Sequence, residues 1–273
     1  MAVTNGYGQG AVNNTIDWGK GKTTATNDWG KIYDSSASGD TSLGTAAAFS
    51  NLKSIDLDGV DDYVTMGNTT SLNFERTDAF SLSFWFKTDA PASFSVLYGK
   101  SLTSGAGYMV WNQASKINFR IRNASGSQLR ITANTTTPNN LWTHCVITYD
   151  GSSLNSGLEM YINGSLESAL KQGTLTSGSS QTTASFNIST RNDGNSPYNG
   201  LMDECAVFNS ELSASDVTAI YGSGVPTSLS SYSSLVSWWR CGDDDTSPTL
   251  TDNKGSNNGT MTNFSTFSTD VPT

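Results

Sequence analysis

Cysteine, histidine and charge are all scarce in this chain of 273 residues, and each shortage excludes something. Three cysteines, Cys145, Cys205 and Cys241, are an odd number without Cys-x-x-Cys spacing. They indicate neither a zinc site nor a complete disulfide framework, and read as reduced thiols in or near a core. Lys and Arg total 15 against 24 Asp and Glu, for a net charge of -9. The few cations are scattered, so neither nucleic acid nor an anionic membrane is expected as a partner. No run of about 18 apolar residues occurs, so no membrane-spanning helix is expected. The opening MAVTNGYGQG has neither a basic start nor an apolar run, and synthesis without a cleaved secretory signal is expected. Only 14% of residues are charged, while Gly, Ser, Thr and Asn abound. That composition describes many short strands joined by turns, and an all-β fold.

The first 50 residues differ from the rest. Asp17-Trp18-Gly19-Lys20 recurs as Asp28-Trp29-Gly30-Lys31 after a Gly-spaced start, with no helix or strand period. Such a segment cannot build its own core, yet Tyr7, Trp18, Trp29 and Tyr33 are large apolar groups. Residues 1–50 read as an extended arm whose rings dock on another surface, with a loosely ordered leader as the alternative.

From about Leu52 to Phe208 the chain alternates with period two. Phe80, Leu82, Phe84 and Phe86 face one way while Ser81, Ser83 and Lys87 face the other; Ile117, Phe119 and Ile121 alternate with Lys116, Asn118, Arg120 and Arg122. Asn163-Gly164 supplies a strong hairpin turn. Many such strands predict a two-sheet antiparallel jelly-roll sandwich over 51–273. One short helix is expected at about 214–221, with Ser213 and Asp216 as a capping box and Gly222 as its stop. Beyond it, Val236, Trp238 and Trp239 suggest another strand, in a block too small to be a separate domain.

The stretch DLDGVDDYV, residues 56–64, looks at first like a calcium loop. Its glycine comes too early for an EF-hand and no Glu closes it, so a strand turning tightly at Asp58-Gly59 is the better reading. Asp61 and Asp62 remain available to a cation bound elsewhere in the fold. His144 adjoins Cys145, but neighbours on a strand point to opposite faces and cannot share a proton, so no catalytic residue is expected.

Five stretches in order resemble the laminin-G-like family of the concanavalin A-like lectin and glucanase superfamily, in its bacterial and phage form. They are residues 57–64, Phe80-Ser81-Leu82-Ser83-Phe84-Trp85-Phe86, residues 142–151 from Trp142 to Gly151, Met160-Tyr161-Ile162-Asn163-Gly164, and residues 200–208 from Gly200 to Phe208. The family's usual opening strand and its Asp-x-x-Gly loop lie here at the back, as Leu235-Val236-Ser237-Trp238-Trp239-Arg240 and residues 251–259. Either the domain is rearranged, with 232–273 supplying the opening piece, or a second domain is cut off after its first strand. The rearrangement is preferred, because a lone strand with two exposed tryptophans invites aggregation.

The resemblance implies a concanavalin A-like sandwich. It also implies a structural calcium where the Asp-Gly turn meets the loop, with Asp58, Asp61, Asp252 and Asn258 as ligands, though ordinary turn chemistry explains the same residues. For sugar binding, Trp85, Trp111 and Asn112 are candidates at strand positions, and Arg191, Asn192, Asp193 and Tyr198 in a polar loop where lectin-like domains make contacts; filling the second sheet face is the alternative for the tryptophans. The glucanases' paired glutamates in a Glu-x-Asp-x-x-Glu pattern are missing, since Glu75, Glu159, Glu167, Glu204 and Glu211 form no such set, and no hydrolysis is expected. The Gly- and Trp-rich leader resembles those of tailed-phage structural proteins. Two readings stay open: a virion component, a head decoration or fibre protein that contacts other virion proteins and its own copies as a homo-oligomer such as a trimer, displaying the sandwich toward a cell-surface glycan; or a free-standing carbohydrate-binding module. The first places the protein in the virion.

Overall fold

The computed structural model describes residues 49–89 and 94–273, together with the paired backbone strands Thr15–Asp17 and Lys22–Thr24. The chain divides into two units, Met1–Ser50 and Asn51–Thr273. Tyr7, Trp18, Trp29 and Tyr33 of the expected arm lie outside the described residues.

Asn51–Thr273 is a sandwich of two antiparallel sheets, as its period-two patterning requires. The eight-stranded sheet runs in the order Ser165–Leu166, Leu158–Ile162, Thr143–Tyr149, Phe80–Thr88, Asn199–Phe208, Ser54–Asp58 and Phe267–Ser268, with Leu235–Trp239 also paired to Asn199–Phe208. The nine-stranded sheet runs Leu170–Gly173, Gln128–Thr132, Lys116–Arg122, Gly107–Gln113, Ser95–Ser101, Phe186–Ile188, Tyr63–Gly67, Gly259–Thr262 and Thr249–Leu250. Between them lies one core, where Phe80 stacks on Phe74 at 4.5 Å and Trp239 on Phe186 at 5.4 Å. Cys145, Cys205 and Cys241 are buried free thiols.

Three local expectations meet their geometry directly. Asn163 and Gly164 both take positive φ, and Ile162 pairs with Ser165 across the two-residue turn. The helix spans Ala214–Tyr221, its N-terminus closed by the reciprocal Ser213 and Asp216 bonds and its end turned by left-handed Gly222. Leu235–Trp239 is a strand. The C-terminal segment adds strands to both sheets, because Gly259–Thr262 pairs with Tyr63–Gly67 while Phe267–Ser268 pairs with Ser54–Asp58.

The turn at Asp58-Gly59 differs from its expectation. Ser54–Asp58 and Tyr63–Gly67 belong to different sheets, so residues 59–62 are a crossing between layers and not a hairpin. Asp-Gly supplies a positive φ in either case, at +73° here, and only the sheet partners decide which.

Candidate functional site

The crossing at 59–62 contributes one side of a surface concavity. Gly59 lies so close to Asn199 that a Cβ would come within 2.6 Å of the asparagine's own Cβ, which presses the turn onto the strand Asn199–Phe208. The Asp58 carboxylate accepts from the amides of Val60 (2.8 Å) and Asp61 (3.4 Å), and the Asp62 carboxylate accepts from the Asp58 amide at 3.2 Å. This folding gathers one carboxylate oxygen each from Asp58, Asp61 and Asp62 within 4.8 Å of one another. Burial raises the Asp62 carboxyl above its ordinary value; the Asp58 amide draws it back, and the charges of Asp58, Asp61 and Asp56 push it further up.

Asp61, Asp62 and Tyr63 form one wall of a pocket of about 130 Å³. Thr190, Gly194 and Pro197 form the other wall, and Asn263 closes it by donating its amide to the Asp61 carbonyl at 2.9 Å. The polar loop is held from within: Arg191 pairs with Asp193 at 2.9 Å, and Asn192 accepts from the Ser185 amide at 3.0 Å. Two groups of residues far apart in sequence, the acidic turn and the 190–197 loop, therefore share one site.

Other expected site residues lie elsewhere. Asp252 accepts four backbone amides, from Trp238, Lys254 and Gly255 on one oxygen and from Asn257 on the other, while Asn258 accepts from the Asp252 amide. Both side chains are thereby committed to their own loop, so they do not join Asp58 and Asp61 as ligands of one cation. The nearby run Asp243-Asp244-Asp245 is likewise engaged for the most part. Asp243 accepts from Leu52 and Arg240, and Asp245 from Gly242 and Thr251, leaving only Asp244 outward.

Four of the sugar-binding candidates are interior. Trp85 is buried in a stack with His144 (4.9 Å) and Tyr221 of the helix (5.7 Å), which covers that face of the eight-stranded sheet. Tyr198 bonds Thr88 at 2.9 Å inside the core, Asn112 is buried beside it, and Trp111 is roofed by Arg130 at 5.0 Å and Arg120 at 5.8 Å. Period-two alternation separates the two faces of a strand but does not say what lies on top of either. Arg191, Asn192 and Asp193 do reach the surface.

His144 and Cys145 point to opposite faces, the thiol into the core and the imidazole Nε2 toward Ser83 Oγ at 3.0 Å. Burial pushes the His144 pKa down to about 3, and Nδ1 has no partner. Because the folded value lies below the unfolded one, this residue's contribution is full above about pH 6.5 and lost as pH falls toward 3. Wild type should therefore lose about 1.4 kcal/mol per pH unit relative to His144→Gln over that window. Urea titrations of both proteins between pH 4 and 8 would check this, and parallel pH profiles would refute it.

One buried cluster escapes sequence reasoning. Asp203 and Glu204 sit at a bulge, Glu204 with φ of 49°, and diverge: Asp203 accepts from Asn51 at 2.8 Å, and Glu204 from Trp238 Nε1 at 2.6 Å and Arg240 at 3.4 Å. Burial raises the Glu204 pKa to about 7, against the opposing pull of Arg240 and Trp238. The available signal was Arg240 preceding three aspartates.

The family model for the concanavalin A-like lectin/glucanases superfamily matches residues 58–218, more than half of the chain. No curated protein sequence matches. Among solved structures, a Bacteroides ovatus protein proposed to bind carbohydrate is similar with a TM-score of 0.59 at 16% identity, over 82% of this chain and 62% of that one. This chain thus spans less than two thirds of that protein. The binding domain of botulinum neurotoxin serotype G (TM-score 0.46, 16% identity, 62% of this chain and 46% of that one) and that of Paraclostridial Mosquitocidal Protein 1 (0.47, 15%, 64% and 46%) are also similar.

Proposed function

This chain belongs to the concanavalin A-like lectin/glucanase superfamily, and from that premise we propose that it is a carbohydrate-binding β-sandwich displayed by a structural protein of a tailed-phage virion. The observation that carries the binding role is the rim pocket, where Asp61, Asp62, Thr190 and Asn263 surround a concavity of about 130 Å³. Hydroxyl-rich ligands are held by a few converging polar groups, and this pocket is lined by the carboxylates of Asp61 and Asp62, the Thr190 hydroxyl and the Asn263 amide. The Bacteroides ovatus protein, proposed to bind carbohydrate on a similar fold, supports the same reading. Binding without hydrolysis is the expected mode. Among the described glutamates, Glu159 pairs with Lys171, Glu167 accepts from the Asn134 and Thr135 amides, Glu75 accepts from Ser179 and the Ser180 amide, and Glu204 is buried against Trp238 and Arg240, so these four are committed to partners of their own.

Calcium fits Asp58, Asp61 and Asp62, which offer hard oxygen ligands within 4.8 Å of one another. A bound cation would offset their mutual repulsion and fix the 59–62 crossing, and with it one wall of the pocket. The virion role rests on the leader, where Tyr7, Trp18, Trp29 and Tyr33 would grip other virion subunits or further copies of this chain.

A glycan array probed with wild type and with Asp61→Asn/Asp62→Asn, in calcium and in chelator, tests the binding role. Wild type is expected to retain a subset of glycans, with loss of about tenfold or more in affinity for the variant, the size of one lost charge-assisted contact. Undiminished binding by the variant would place the sugar away from the rim. Mass spectrometry of purified particles tests the virion role, which absence of the chain from them would refute.

A further inference from the structure

We propose that the outer face of the nine-stranded sheet carries a second, anion-selective site, built by Arg120, Arg122 and Arg130, that takes the carboxylates or sulfates of an acidic polysaccharide. None of its three arginines lines the rim pocket, and the proposal does not rest on that pocket.

Alternation places the three guanidinium groups together. Phe119, Ile121, Leu129 and Ile131 enter the core, so Arg120, Arg122 and Arg130 stand on the opposite face, and Arg120 and Arg130 are direct cross-strand partners. Like charges in that position destabilise a sheet. A chain of net charge -9 has carboxylates to spare, yet the ion pairs among the described residues include none of these three arginines. Arg120 and Arg122 converge on Gly105, where a Cβ would lie 2.5 Å from Arg122 Nη1 and 3.2 Å from Arg120 Nη2. The Nε atoms of both are buried without a hydrogen-bond partner.

The groups are also held in place before any ligand arrives. Trp111, backed by Val96, Met109 and Phe94, lies beneath Arg120 and Arg130, and Arg130 is further tied to Asn118 at 2.7 Å and Thr132 at 3.2 Å. Burial, then repulsion from Arg122, Arg191 and Arg130, lowers the Arg120 pKa to about 10. Arginines serving only as structure would satisfy their donors and avoid one another. Here the repulsion is offset when an oxyanion bridges the Nη groups, since guanidinium binds carboxylate or sulfate through paired N–H donors. A polysaccharide suits the face because its charges are spaced along a chain, whereas a nucleic acid would bring dense charge against an acidic protein.

Affinity electrophoresis of the full chain through gels containing polygalacturonate, dextran sulfate or neutral dextran tests this. Retardation by an anionic polymer but not by dextran is expected, with polygalacturonate alone indicating a carboxylate ligand and dextran sulfate alone a sulfate. Arg120→Ala/Arg122→Ala should weaken it about tenfold or more, as loss of charge-assisted bonds predicts. Arg120→Lys/Arg122→Lys, which keeps the charge and loses the forks, should also bind more weakly, and decides the matter if the alanine variant fails to fold. Asp61→Asn/Asp62→Asn should be retarded like wild type, which separates this site from the rim. Unchanged retardation in the arginine variants, equal retardation by dextran, none by either polyanion, or equally tight binding of duplex DNA would overturn the proposal.

Discussion

A chain ending at residue 231 is expected not to fold. The deletion strips Leu235–Trp239 and Phe267–Ser268 from the eight-stranded sheet and Thr249–Leu250 and Gly259–Thr262 from the nine-stranded one. It uncovers the row of hydrogen-bonding groups along Tyr63–Gly67 and empties the volume filled by Trp239, Leu250 and Met261. The single change Trp239→Ala gives a graded version. Trp239 is fully buried, stacks on Phe186 of the opposite sheet and donates Nε1 to the Asn257 carbonyl at 2.8 Å, so it joins the two layers and anchors a loop. Its truncation should cost about 3–5 kcal/mol, against a total stability of roughly 5–15 kcal/mol for a domain. Urea denaturation followed by tryptophan fluorescence and near-ultraviolet circular dichroism would measure both proteins. A truncated chain that melts cooperatively at the wild-type midpoint would show that the C-terminal strands are dispensable.

Arg240→Met should be nearly as costly at pH 8 and up to about 1.4 kcal/mol less so at pH 5.5. The arginine bonds Asp243 at 3.0 Å and Glu204 at 3.4 Å in a largely buried setting, and removing one partner of such a cluster costs about 3–5 kcal/mol. The pH dependence follows from Glu204. Its folded pKa, about 7, lies above its unfolded value, so its stabilising contribution is full below about pH 4.5 and is lost as pH rises through 7. Without Arg240 the Glu204 value rises further, and the variant pays this additional penalty only where wild-type Glu204 is ionised, above about pH 7. Denaturation of wild type and variant at the two pH values checks the claim, and a difference that stays constant or grows on acidification would contradict it.

The strands were legible because burial of one sheet face imposes a two-residue repeat on each segment by itself. Phe80 to Phe86 and Ile117 to Ile121 show it without reference to any partner. Asn163-Gly164 and the Ser213 to Gly222 helix were legible for a similar reason, since their turn and cap bonds close within a few residues. The Asp58-Gly59 turn was misread as a hairpin because the same positive φ serves a turn within a sheet and a crossing between sheets. Trp85 and Trp111 read as candidate sugar contacts, but each is covered by side chains that its own strand does not supply: Tyr221 from the helix over Trp85, and Arg120 and Arg130 from the next two strands over Trp111.

The sequence by itself determined the all-β class, the strand positions, the capped helix and the assortment of side chains on each strand face, because these depend on local sterics and on the period of burial. Tertiary structure alone decided that the acidic turn meets the 190–197 loop, that Asp252 commits its oxygens to backbone amides, and that three neighbouring arginines make no ion pair among the described residues. Those arrangements depend on which strands become neighbours, and neighbours are chosen by the packing of the whole core.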